Sequence, residues 1–125
     1  MSNSIYLEFR DWLNRINQSE VIPADLSAFN FGLFQTPNGY SIYLIGSTIF
    51  TEDNDDWAGE EDFAPREKYF ELPSNFKDKN WKELEDFVKE LVIDFINSED
   101  FQKTFLARTV AITVGFDDGD LIRIK

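Results

Sequence analysis

The chain has 125 residues, enough for one domain with a single core and too few for two. Twenty-four acidic residues against twelve basic ones leave a formal net charge of −12, which repels phosphate backbones and argues against direct nucleic-acid binding. Cysteine and histidine are both absent, which removes disulfides, thiolate nucleophiles, imidazole bases and the metal sites that need either side chain.

A hydrophobic content of 42% with thirteen Phe supports a packed globule over a disordered chain. The first element reads as a helix from Ser4 to Asn17, because Ile5, Phe9, Trp12, Leu13 and Ile16 recur at spacings of three and four and make one apolar stripe. Residues 18–26 contain Pro23, show no period and read as a connection.

From Ala28 to Phe50 the pattern becomes that of strands. Ala28–Gln35 is rich in Phe and Leu, Pro37-Asn38-Gly39 is a turn signal whose last two residues accept positive φ, and Tyr40–Phe50 is a β-branched and aromatic run. The expectation is a hairpin of two central strands. Glu67–Leu72 reads as a further, short edge strand ended by Pro73.

Asn80–Asn97 carries the strongest helical pattern. It sets Trp81, Leu84, Phe87, Val88, Leu91, Val92, Phe95 and Ile96 on one face, Lys82, Glu83, Glu85, Asp86, Lys89, Glu90 and Asp94 on the other, with Asn80 as N-cap. Ser98-Glu99-Asp100 reads as a second cap opening a short helix through Phe101, Phe105 and Leu106. The chain closes on a hairpin. A three-residue loop Asp117-Asp118-Gly119, with Gly119 left-handed, pairs Val114 with Ile122 and Ile112 with Ile124, whereas a two-residue loop would oppose Val114 and Arg123. The expected architecture for residues 1–125 is a single α+β domain: an antiparallel sheet of two hairpins, with the N-terminal helix and the long helix of the C-terminal half packed against it. One core of Trp12, Leu13, Leu44, Leu84, Phe87, Leu91, Phe95, Ile112 and Val114 is expected.

The chemistry centres on Thr51–Phe63, TEDNDDWAGEEDF, which places Glu52, Asp53, Asp55, Asp56, Glu60, Glu61 and Asp62 within eleven positions around Trp57. No Lys or Arg occurs between Arg15 and Arg66, so the negative field is local. An EF-hand needs oxygen ligands at positions one, three and five, Gly at six and Glu at twelve. Starting at Asp53 puts Trp57 at five and Ala58 at six, and starting at Asn54 puts Ala58 at five, so neither start fits. Paired carboxylates also serve glycoside hydrolysis, but that chemistry needs a deep sugar cleft seldom built by so short a chain. No Gly-rich phosphate loop occurs. A second acidic group, Asp117, Asp118 and Asp120, reads either as hairpin-turn chemistry or, if it shares a sheet edge with the first, as part of one negative surface.

The segments LIGSTIF, DNDDWAGEEDF and VGFDDGDLIRI, in a small, acidic, Cys-free domain, resemble the small cytoplasmic immunity proteins encoded beside bacterial polymorphic or contact-dependent toxins. The resemblance implies inhibition by binding: the chain covers the active face of a basic toxin domain, without catalysis and without a cofactor. The residues themselves point to the same class. Asp53, Asp55, Asp56, Glu60, Glu61 and Asp62, with Asp117, Asp118 and Asp120, form the expected charged surface, and Trp57 reads as its desolvated anchor or as a lid folded back onto the sheet. The alternatives are a divalent-cation or small-ligand binding domain and a non-catalytic subunit of a larger assembly. With neither a basic leader nor a long apolar run, the expected location is the cytoplasm, with no membrane partner.

Overall fold

A computed structural model describes residues 2–117 and 119–125. The first helix, α1, spans Ser2–Ser19 and buries the stripe read from its sequence, Ile5, Phe9, Trp12, Leu13 and Ile16. Its partner α2, Trp81–Ile96, starts at a complete capping box: the Asn80 side chain accepts from the Glu83 amide at 2.9 Å and the Glu83 carboxylate accepts from the Asn80 amide at 3.2 Å. At its other end the Ser98 hydroxyl donates to the Phe95 carbonyl. Ser98 therefore closes α2 and does not open the next helix. In place of the expected short helix, the chain makes two 3₁₀ turns, Phe101–Lys103 and Phe105–Arg108, and no side chain caps the first.

Among the described residues the sheet has five strands in the order β3-β2-β1-β4-β5: β1 Ala28–Thr36, β2 Gly39–Ser47, β3 Tyr69–Glu71, β4 Ala111–Phe116 and β5 Ile122–Arg123. Both expected hairpins are present, and β3 adds to the edge of β2 as a shorter strand than the sequence suggested. The purely antiparallel arrangement is corrected in one place. β1 and β4 pair in parallel, from Ala28↔Ala111 to Leu33↔Phe116, because α2 carries the chain back across the sheet before β4 begins. The sheet is thus mixed and mostly antiparallel.

Two turns also differ in detail. The first hairpin closes Thr36 on Gly39, so its loop is Pro37-Asn38; among the described residues Gly39 alone takes positive φ, at 152°, as the first residue of β2. The terminal hairpin keeps the expected register, with Val114 opposite Ile122 and the Ile124 amide donating to the Ile112 carbonyl. It does so without a left-handed Gly119; Asp118, in that loop, lies outside the described residues.

Alternation along the strands separates two faces. Phe29, Phe31, Leu33, Ile42, Leu44, Ile112 and Val114 pack under the helices with Trp12, Leu13, Leu84, Leu91 and Phe95, and the half-buried Phe87 lies against them. The expected core residues all belong to this cluster except Phe87, which packs against it. The opposite face carries Ala28, Asn30, Gly32, Phe34, Tyr43, Ile45, Ala111 and Thr113, and the acidic segment folds across it. Among the described residues, no helix is long and apolar enough to cross a membrane.

Candidate functional site

The acidic segment leaves β2 as a ribbon of charge and is held down at its centre. Residues Asp56–Gly59 form a 3₁₀ turn that delivers Trp57 onto the open face of the sheet, where it packs with Ala28 and Ala111, against Phe50, Ala58 and Leu121. The indole is 3% exposed and meets the Phe50 ring edge-on at 5.3 Å. Trp57 is therefore the lid of the second face. Of the two expectations for Trp57, the lid matches this placement: small residues at Ala28 and Ala111 leave a space that the indole fills from within the chain.

Polar tethers fix the flanks. The Asp62 carboxylate accepts from the Thr48 amide at 2.8 Å and the Thr48 hydroxyl at 2.9 Å, and the backbone bond is the main reason its pKa is lowered. Asp55 accepts from the Leu121 amide at 3.0 Å, bringing the acidic segment against the terminal hairpin. Glu52 pairs with Arg123 at 3.1 Å, and the Arg123 guanidinium lies over the Phe50 ring. Glu61 pairs with Lys68 at 2.7 Å, which raises the lysine's pKa.

The sequence-derived residues thus divide. Glu61 and Asp62 at the end of the segment, and Asp55 within it, are engaged inside the chain. Asp53, Asp56 and Glu60 are exposed and, among the described residues, have no side-chain hydrogen bond or ion pair. The two acidic groups do converge: Asp55 touches the hairpin at Leu121, and Glu61 and Asp117 line one shallow groove of about 360 Å³ with Tyr43, Ile45, Lys68 and Tyr69. Asp117 accepts from the Tyr43 hydroxyl at 2.5 Å. Asp120 is exposed, with no side-chain partner among the described residues, and Asp118 lies outside them. Burial, followed by the bond to Asp117, pushes the Tyr43 phenol well above its ordinary value. Among the described residues, no group of three or more acids is placed to hold a metal ion.

Two residues of α2 depart from the helical pattern. Trp81, expected on the apolar face, is 62% exposed, and Glu85, expected on the polar face, is 6% exposed. The spacing held the signal for Glu85, which stands three and seven residues before the buried Val88 and Val92.

Chemically, the face sets the unpaired carboxylates of Asp53, Asp56, Glu60 and Asp120 near grooves lined by aromatic rings, an arrangement that attracts cations. No protein-family model, no curated protein and no solved structure matches this chain.

Proposed function

We propose that the chain is a protein-binding inhibitor of the immunity-protein kind, which neutralises a basic partner, a toxin domain, by covering it with this acidic face. The observation that supports the reading best is that the acidic segment is held in one shape by Trp57 and its polar tethers, while Asp53, Asp56 and Glu60 remain unengaged among the described residues. A solvated loop without a task has no use for such anchoring. A preordered array loses little conformational freedom when a partner docks, so more of its electrostatic attraction appears as affinity.

Because Trp57 is occupied inside the chain, the affinity in this reading comes from the charged array and the groove walls, and the indole keeps the array in place. The test is capture of a basic partner on the immobilised chain, followed by toxicity of that partner expressed with and without this chain. Association kinetics are then compared for the native protein and an Asp53→Asn, Asp56→Asn, Glu60→Gln variant. The expected result is rescue by the native chain, with association in the variant slowed about tenfold and less sensitive to salt, since exposed charges steer encounter across a Debye length of roughly 8–10 Å. Rescue without any change in association rate overturns the role given to this face.

A further inference from the structure

A second groove, of about 830 Å³, opens where β1 and β4 both end. It is lined by Leu33, Phe34, Tyr40 and Phe116, the last two meeting edge to face at 6.2 Å, and by Trp81 and Glu85, four residues apart on one face of α2. Asp117, Gly119, Asp120 and Ile122 line the other side.

Glu85 is the anomaly. It is more than nine-tenths buried, it lines the groove, and among the described residues it has neither a hydrogen bond nor an ion pair. No fully buried side-chain polar atom among the described residues lacks a partner, so the unpaired Glu85 carboxylate keeps some exposure, and Glu85 lines the groove. Lys89, one turn further along α2, does not reach it within ion-pair distance, and Lys82 is engaged with Asp86. The capping box at the start of the helix is satisfied by Glu83, so Glu85 has no role there either. A carboxylate that lines an aromatic-walled groove without a cation partner draws a cation entering the groove toward it. Beside it, Trp81 exposes an indole that contributes nothing to the core.

We infer that this groove is a recognition site for an arginine side chain presented by a partner, with Glu85 accepting the guanidinium at its base and Trp81 and the neighbouring rings stacking on it. The inference rests on the reading of the chain as a binder of a basic protein, and supplies the residue type that such a partner inserts. Guanidinium fits better than ammonium on three counts: it is flat and stacks on aromatic faces, it sheds water more readily, and its fork of donors matches a carboxylate. The acidic rim at Asp120 adds attraction without occupying the base.

The experiment needs no partner. The folded protein is titrated with N-acetyl-arginine amide and, in parallel, with its uncharged citrulline counterpart, while backbone and indole resonances are followed. The expected result is a saturable shift confined to the Trp81 indole and to residues 33–35, 81–85 and 116, at least tenfold weaker with the citrulline compound and in Glu85→Gln. Glu85→Leu is expected to fold and to lose the response. Trp81→Ala, at an exposed position, keeps the test open if Glu85 variants fail to fold, and is expected to weaken the response several-fold. An equal response to the citrulline compound, shifts centred on residues 53–60 instead, or no saturable shift overturns the site. A basic partner that still binds in that case leaves the broader function standing; an arginine response with no basic partner does the reverse.

Discussion

The Tyr43 ring lies directly over Gly32, its partner across β1 and β2: a Cβ placed on Gly32 would sit 2.0 Å from the ring and 2.4 Å from the phenol oxygen. The missing side chain is what lets the phenol cross β1 and reach Asp117 at 2.5 Å. Gly32→Ala must therefore push the ring aside, at a cost of about 1–3 kcal/mol. In Tyr43→Ala the same change is expected to cost little, so the double-mutant cycle should be strongly non-additive. Additive unfolding free energies would show that the two residues do not meet.

Removing the lid should be felt both globally and locally. Trp57→Ala is expected to cost about 3 kcal/mol or more, in line with large aromatic truncations in packed sites, a sizeable part of the roughly 5–15 kcal/mol that holds a domain together. The 52–62 segment contains no Lys or Arg, so trypsin cannot report on it. A glutamate-specific protease can, and should cleave the variant faster at Glu52, Glu60 and Glu61. Unchanged stability and unchanged protection would show that the indole does not hold the segment down.

Acid should loosen the protein through a small set of carboxyls. Asp62, held by Thr48, Glu20, held by the Arg66 amide, and Glu67, held by Arg15, all have lowered pKa values. Below their ordinary values of 3.8 and 4.5 the unfolded chain takes up protons that the folded chain still refuses. The stability these groups contribute is thus complete above that range and is lost as pH falls through the folded values. Asp62→Asn should flatten the fall of the urea midpoint below pH ~4, without abolishing it, since Glu20 and Glu67 remain. An identical acid limb in the variant would show that Asp62 has no part in it.

At the alkaline end the sign is reversed. The Tyr43 phenol keeps its proton above the ordinary value of 10.0, so the unfolded chain ionises first and stability falls as pH rises past that value. Absorbance titration of the four tyrosines should show a late phase that Tyr43→Phe deletes. A titration without a late phase would mean that the bond to Asp117 is not kept in solution.

Much of this fold is legible in the sequence wherever neighbours in the chain are neighbours in space. The stripe of α1, the Asn80 cap of α2 and the pairing of Val114 with Ile122 come from local periodicity and turn length. The parallel seam between β1 and β4 does not, because both strands are apolar on both faces and such a pattern does not name its neighbour. At the site, composition reveals the acidic segment but not which carboxylates are tied down, since the Thr48 and Leu121 amides that bind Asp62 and Asp55 carry no sequence signal. Trp81 and Glu85 exchanged places for a related reason. Periodicity names the apolar face of α2 but not how far the sheet covers it: Trp81 at its start stays exposed beside the groove, while Glu85 is buried with Leu84 and Val88.

The β1–β4 seam also sets the order in which the chain can fold. Asn30 and Thr113, which share a buried hydrogen bond across it, are 83 residues apart. On a ribosome adding about 5–20 residues per second, β1 waits roughly 4–17 s for its neighbour. Throughout that interval the β1–β2 hairpin can form, yet it presents a nine-residue strand with a bare, apolar edge, the kind of template on which other chains add. In the finished protein that strand is enclosed, and the outer edges are the three residues of β3 and the two of β5. Exposure to wrong pairing is therefore greatest during synthesis, and changes that delay α2 or β4 should lower soluble yield more than they lower the stability of molecules already folded.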